Sequence, residues 1–315
     1  MTPSDIGTAT QEATYSSPVG EIVAIGCEAS LEDYVVLLKP RVMSLVVFTG
    51  FVGLILAPES MHPVLAAVAV LCIAVGAGAS GAINMWYDRD IDALMTRTRN
   101  RPLPAGRMAP GAALGFGIVL AVGSVSVMAL AVNLLAGALL ALTIAFYVFV
   151  YTIWLKRRTP QNIVIVGAAG AFPPMIGWAA ATGEVTLGSI ALFALIFIWT
   201  PPHFWALALY REGDYARAGV PMLPVVAGAR ETKKQILLYT VILVPVSLAP
   251  WALDVVGWTY CTIAVAFGAG FLALAVAIWF DDTDRWARRT FLFSIIYLFV
   301  LFVAMIADSI GLTLA

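Results

Sequence analysis

Hydrophobic and polar positions in this chain fall into long blocks rather than into the short periods of a soluble helix or strand. Nine apolar runs are long enough, or nearly so, to cross a bilayer as helices. The first run is short, and we expect it to begin near Tyr34. The predicted spans are Val42–Leu56, Pro63–Trp86, Ala112–Val132, Leu134–Leu155, Ile163–Ala181, Leu187–Leu209, Ile236–Val256, Trp258–Phe280 and Phe291–Ile310.

Composition agrees with this pattern and excludes a soluble domain with a large core. Hydrophobic residues make up 61% of the chain, and the mean hydropathy is +0.93. The sequence therefore predicts an all-α integral membrane protein with nine transmembrane helices, embedded in a lipid bilayer.

The basic residues indicate how the spans are oriented. All 18 Lys and Arg precede the first span or lie in the connections between spans 2 and 3, 4 and 5, 6 and 7, and 8 and 9. By the positive-inside rule, the N-terminus is cytoplasmic and the C-terminus is on the far side. The net charge of −1 gives no reason to expect a nucleic-acid partner.

Residues 1–33 are polar and acidic and carry no Lys or Arg, which predicts a disordered cytoplasmic tail before a membrane domain at 34–315. This composition fits neither a secretory signal peptide nor a mitochondrial transit peptide. A bacterial inner membrane is the simplest location. Cys27, Cys72 and Cys261 are far apart, and we expect free thiols rather than ligands or disulfides.

A dense polar block follows the second span. Asn84, Asp88 and Asp92 are spaced i, i+4, i+8, so a continuing helix would align them on one face. Carboxylate and amide oxygens on one face suit Mg²⁺, which takes one or two carboxylates and completes its shell with water and substrate phosphate. Asp90 would point about 200° away from Asp88 on a helix, which favours a solvated role.

The same block supplies four arginines between positions 89 and 101, at Arg89, Arg97, Arg99 and Arg101. Guanidinium groups suit the phosphate that such a metal would hold. The block therefore predicts a Mg²⁺-diphosphate site that faces an apolar cavity.

A second polar cluster follows the sixth span and resembles the first. When Asp214 is set over Asp92, Arg211 matches Arg89 and Tyr210 falls where Asp88 stands. The clusters lie four spans apart, so both emerge on the same side of the membrane. This register indicates a weak parallel internal repeat, with two half-sites that could close over a shared ligand.

Seven sequence motifs together resemble the UbiA superfamily of intramembrane prenyltransferases, and within it the heme O synthase branch. The resemblance extends from about Lys39 to the last span. The motifs are Lys39–Val42, Asn84–Pro104, Tyr151–Val164, Ala171–Trp178, His203–Leu207, Asp214–Met222 and Ala287–Ser294.

The resemblance implies a reaction and its partners. Members of this branch transfer a farnesyl group from farnesyl diphosphate to the 2-vinyl group of protoheme IX, with Mg²⁺ as cofactor. The resemblance also leaves heme A synthase, the next enzyme in heme A synthesis, open as a partner. Ionising an allylic C–O bond places charge on diphosphate, so positive groups must already face it.

The resemblance also assigns roles to individual residues. Asn84, Asp88 and Asp92 would hold one Mg²⁺, and Asp214 a second, so that these three aspartates are the expected catalytic residues. Arg97 and Arg101 match the spacing of the superfamily's diphosphate-binding arginines. Weaker candidates for diphosphate binding are Lys156 and Arg41.

His203 lies inside the sixth span, just after Pro201 and Pro202. An ionisable group within a membrane is a functional candidate, and an imidazole can ligate heme iron. The alternative is that His203 only satisfies carbonyls freed by the prolines.

Two positions depart from the pattern. Tyr210 stands where the wider superfamily has an aspartate, so the second cluster need not bind metal as the first does. Val166 replaces an expected glycine, which we interpret as a packing change.

Two other functions remain open at this point. One is a UbiA-type prenyltransferase that acts on a quinone precursor or a chlorophyllide. The other is a transporter, because parallel repeats and broken helices also occur there.

Overall fold

The computed structural model describes residues 29–280 and 283–314, and the described part contains helices but no strands. The predicted tail therefore lies largely outside the described residues, and Cys27 with it. The helices are α1 Leu31–Leu37, α2 Pro40–Ile55, α3 Pro63–Tyr87, α4 Arg89–Leu94, α5 Pro110–Val127, α6 Leu134–Ala145, α7 Asn162–Thr182, α8 Leu187–Tyr210, α9 Glu212–Arg217, α10 Leu223–Ser247, α11 Ala249–Ala252, α12 Trp258–Trp279 and α13 Asp284–Leu314.

Within the described residues, eight helices are long and apolar enough to cross a membrane, and the number becomes nine if the bent pair α1 and α2 is one span. These two helices meet at an angle of 53°. The chain turns at Lys39, whose φ of 52° is left-handed, and Pro40 then begins α2. The expectation that the first span begins upstream of Val42 is therefore confirmed, with Ser30 capping α1.

Two segments of π-helix extend the third and fourth spans. Met128–Val132 continues α5, and Phe146–Leu155 continues α6. The third and fourth spans follow each other directly in sequence, and the tight turn that separates them lies at Asn133. The side-chain oxygen of Asn133 accepts a hydrogen bond from the Ala136 amide at 2.8 Å. The long π-helical segment is unusual, because such segments are mostly single turns and often mark functional sites.

The seventh span begins earlier than its hydrophobic run predicts. We placed its start at Ile236, whereas α10 begins at Leu223 and includes the basic stretch that we assigned to a connection. Gly228 interrupts the helical backbone with a φ of 81°, so a kink separates the short first part of the helix from the longer second part, which begins with the basic stretch and continues into the apolar run. Hydrophobicity alone could not find this polar helical segment.

Helices α2 and α7 cross at very short range. A Cβ on Gly177 would lie 2.0 Å from the carbonyl oxygen of Gly50, and a Cβ on Gly53 would lie 2.1 Å from that of Pro174. Only glycine fits at these two positions, as is common where helices in membranes pack closely. Helix α7 also packs along α8, which links the two halves of the bundle.

The prediction about the cysteines has a clear outcome. Cys72 and Cys261 are buried free thiols, as expected. Helices α7 and α8 each continue through a proline pair, α7 at Pro173 and Pro174 and α8 at the pair before His203.

Candidate functional site

The first polar cluster forms a buried column at the end of α3. Asp88 ends that helix, yet its amide still bonds to the carbonyl of Asn84 at 2.9 Å, and the Asp92 amide bonds to that of Asp88 at 2.8 Å. The helical spacing therefore persists into α4. Asn84, Asp88 and Asp92 are 4%, 0% and 3% exposed. Buried acids next to an apolar core are costly unless cations face them.

Cations do face both carboxylates. Lys156 contacts Asp88, and the Nη1 of Arg101 lies 2.6 Å from the Oδ2 of Asp92. The structure thus brings two of the predicted diphosphate-binding residues to the aspartate column. The Oδ1 of Asp88 is buried without a hydrogen-bond partner, and the nearest guanidinium nitrogen, from Arg157, is 3.5 Å away.

A third cation at the column is Lys39, to which the sequence analysis gave no role. Its Nζ donates to the Oδ1 of Asn84 at 2.7 Å. The side chain passes over Gly81, where an added Cβ would lie 3.4 Å from the Cδ of Lys39. Arg41, one of the two weaker candidates for diphosphate binding, has an exposed side chain. The turn between α1 and α2 explains the difference, because it directs Lys39 inward.

The π-helical segment after α6 adds a hydroxyl to the site. Thr152 is fully buried, and its Oγ1 accepts from the Nδ2 of Asn84 at 3.1 Å while donating to the carbonyl of Tyr147 at 2.9 Å. The same nitrogen donates to Asp88 at 2.6 Å. Both hydrogens of the Asn84 amide are therefore used, which leaves its oxygen turned towards Lys39.

The second cluster repeats the geometry of the first. Helix α8 ends at Tyr210, Arg211 interrupts the helix, and the six-residue helix α9 follows, just as the six-residue helix α4 follows Asp88. Asp214 is buried and contacts Arg217, and its Oδ1 accepts from the Oγ1 of Thr96 at 3.1 Å. The two clusters thus meet, as the internal register predicts.

Two charged residues lie at the edge of the site. Arg97 is exposed. Asp90 is exposed and forms a bidentate pair with Arg157, with both distances at 2.7 Å. This hydrogen-bonded pair holds the pKa of Asp90 below its usual range and raises the pKa of Arg157. Asp90 therefore turns away from the column, as its helical position predicts.

The residues of the column fit a divalent cation by their chemistry. Among the described residues, no three His, Cys, Asp or Glu side chains are close enough together to hold a metal ion. Two carboxylates and an amide one helical turn apart nevertheless form the oxygen donor set that Mg²⁺ prefers, and the unpartnered oxygen of Asp88 lies within it. In this arrangement Lys156 and Arg101 neutralise the acids.

His203 occupies a separate place, deeper along α8. It is buried, and its Nδ1 lies 2.6 Å from the Oγ of Ser294 on α13. Phe291 stacks on its ring and also contacts Tyr210. His203, the candidate heme ligand, is therefore connected to the second cluster through α13.

Residues 46–304 match the model of the UbiA prenyltransferase family. The chain belongs to this family. It is 60% identical over 289 residues to the protoheme IX farnesyltransferase of Granulibacter bethesdensis. The matched region covers 89% of this chain and 91% of that protein. Family membership and the apolar helices together make this an integral membrane protein.

Solved structures share the fold. A digeranylgeranylglyceryl phosphate synthase has a TM-score of 0.75 at 19% identity, covering 89% of this chain and 99% of that chain. A UbiA homolog from Archaeoglobus fulgidus bound to GPP and Mg²⁺ has a TM-score of 0.64 at 18% identity, covering 87% of this chain and 99% of that chain. These similarities confirm the predicted all-helical membrane fold.

Proposed function

We propose that this protein transfers the farnesyl group of farnesyl diphosphate to the 2-vinyl group of protoheme IX and so forms heme O. The buried column of Asn84, Asp88 and Asp92, faced by three cations, supports diphosphate chemistry. The observation that carries the choice of acceptor is the 60% identity to a protoheme IX farnesyltransferase along nearly the whole chain.

The donor half of the reaction breaks the bond between C1 of the farnesyl group and the diphosphate oxygen. The electron pair leaves with diphosphate, so positive charge must be in place before the bond breaks. Lys39, Arg101 and Lys156 carry that charge at the column, and Arg97 at its edge is a fourth candidate. In the structure these cations pair with protein oxygens. When the substrate binds, diphosphate oxygens would replace those protein oxygens as partners.

The divalent cation fits the same residues. Asn84, Asp88 and Asp92 would hold one Mg²⁺, and Asp214 would contribute to a second. When bound, Mg²⁺ supplies Lewis-acid charge stabilisation to the leaving diphosphate. The Archaeoglobus fulgidus homolog that binds GPP and Mg²⁺ supports this cofactor for the family, and we extend it to this chain.

The acceptor half forms a bond between C1 of the farnesyl group and the terminal vinyl carbon of protoheme. The electron deficiency then moves to the vinyl carbon beside the porphyrin ring. Water adds there and loses a proton, which leaves a hydroxyl group. Water must not reach the allylic cation earlier, and a site among buried apolar helices supports that order.

We also propose a bacterial inner membrane as the location, with a cytoplasmic N-terminus, a periplasmic C-terminus and the site facing the cytoplasm. The support is the distribution of all 18 Lys and Arg over one set of connections. Heme A synthase, which would take up heme O, remains a predicted partner.

An acceptor panel tests the proposal. Purified protein receives farnesyl diphosphate and Mg²⁺ together with protoheme, a phenolic quinone precursor or a chlorophyllide, and products are separated by chromatography. Prenylation of protoheme alone is the expected result. Prenylation of another acceptor in its place would contradict the heme assignment and keep the prenyltransferase assignment. Substrate flux into vesicles without diphosphate release would favour a transporter.

A further inference from the structure

The hydrogen bonds around His203 define which ring nitrogen carries its proton. The Oγ of Ser294 lies 2.6 Å from the Nδ1 of His203 and 2.7 Å from the carbonyl oxygen of Phe291. A carbonyl only accepts, so the single hydroxyl hydrogen goes to Phe291 and Ser294 accepts from the Nδ1–H. In the neutral imidazole, the Nε2 then carries a free lone pair. No described residue donates a hydrogen bond to it.

Aromatic rings hold the imidazole in one orientation. Trp199 stacks on the imidazole of His203 at a centroid distance of 4.3 Å, and Phe291 stacks on it at 4.8 Å. Phe204 adds an edge-on contact at 5.0 Å. Trp199 is itself fixed, because its Nε1 donates to the carbonyl of Ser294 at 2.8 Å. The ring faces are covered, so a ligand reaches His203 along the plane of the ring.

The position of His203 relates it to the diphosphate site. Tyr210 follows on α8 after seven residues, which is two helical turns or about 10 Å. Phe291 contacts both side chains, at 4.8 Å from His203 and 6.0 Å from Tyr210. The seam between α8 and α13 therefore extends from the imidazole to the second cluster. A flat macrocycle centred on His203 would extend its rim towards Asp214.

We infer that the Nε2 of His203 is the axial ligand of the iron of the protoheme substrate, and that Ser294 is a positioning residue that holds the imidazole for it. The inference rests on the proposed function for the identity of the acceptor. A hydrogen bond from the other ring nitrogen is the usual support of a metal-ligating histidine, since it fixes the tautomer and raises the basicity of the ligand. Iron held in this way would keep the vinyl groups at the rim free to react.

Resonance Raman spectroscopy of bound ferrous protoheme tests the ligation directly. Full-length protein in detergent should show an iron–histidine stretching band. His203→Ala should lose this band and bind protoheme at least about tenfold more weakly. Added imidazole should restore the band in His203→Ala, which would also establish that the variant is folded. The matched control is His62→Ala, since the sequence has only these two histidines.

Ser294→Ala tests the positioning role with the ligand still present. The band should remain but move to lower frequency, because the imidazole loses its hydrogen-bond acceptor. A merely structural hydroxyl would leave that frequency unchanged. This variant also keeps the inference falsifiable if His203→Ala does not fold.

The outcomes separate this inference from the proposed function. Wild-type protein that forms heme O but shows no iron–histidine band, or a band that survives His203→Ala, would overturn the ligation. Failure of folded wild-type protein to form heme O from protoheme would overturn the proposed function instead. We expect heme O formation, the band in wild type and its loss in the variant.

Discussion

The Oγ1 of Thr96 lies 3.1 Å from the Oδ1 of Asp214 and donates a hydrogen bond that joins the two polar clusters. Thr96 follows the aspartate column after α4, whereas Asp214 lies in α9, after four further spans. The bond therefore connects the segment that follows the first cluster's acids to the buried acid of the second cluster. It supports a single site with two half-sites, as the internal register predicts.

A double-mutant cycle on this pair tests whether the halves act together. Thr96→Val should cost about 1 kcal/mol of transition-state stabilisation, because the hydrogen bond to Asp214 is lost. Asp214→Ala should have a larger effect and lower kcat by roughly 10²-fold. The double variant should be no slower than Asp214→Ala alone. Additive losses in steady-state rates would mean that the contact does not couple the clusters.

The aspartate column should be essential for turnover. We expect Asp88→Ala and Asp92→Ala each to lower kcat by about 10²–10³-fold or more, because a metal ligand and its fixed charge are lost. Turnover rates measure the loss of activity, and size-exclusion chromatography in detergent shows whether the variant is still inserted and folded. Asp90→Ala is the matched control, since this acid lies in the same segment but pairs with Arg157. Near-normal rates for Asp88→Ala would refute the metal assignment.

Lys39 and Arg41 should differ strongly although they are two positions apart. Lys39→Met keeps the length of the side chain and removes a charged hydrogen bond worth about 1.5–3 kcal/mol, so kcat/KM for farnesyl diphosphate should fall at least about tenfold. Arg41→Met should change it by no more than about 0.5 kcal/mol, because that side chain is exposed. The reverse ranking would show that the turn places Arg41 in the site.

The fold and the site differ in how much of them the sequence could predict. Asn84, Asp88 and Asp92 were found because their contact follows from local helical spacing. Lys39 was not found, because its contact with Asn84 depends on the left-handed turn at Lys39 and on the absence of a side chain at Gly81, which is distant in sequence. Thr152 was missed for a similar reason. Only the π-helical backbone turns it towards Asn84, and hydrophobicity does not reveal that register.

The crossing of α2 and α7 should control stability rather than chemistry. Gly177→Ala should destabilise the protein by about 1–3 kcal/mol, because its Cβ would lie 2.0 Å from the carbonyl oxygen of Gly50. Gly170→Ala lies in the same helix with nothing within 4 Å of the added carbon and should be tolerated. Thermal unfolding in detergent compares the two. Equal unfolding temperatures would mean that the helices separate without cost.

The central claim is farnesyl transfer to protoheme with addition of water. The most direct measurement is the mass of the porphyrin product formed from protoheme and farnesyl diphosphate in ¹⁸O-labelled water, with Mg²⁺ and with EDTA. We predict a product that carries one farnesyl group and one ¹⁸O atom, formed only with Mg²⁺. Unchanged protoheme from folded protein, or a farnesylated product without the label, would contradict the account.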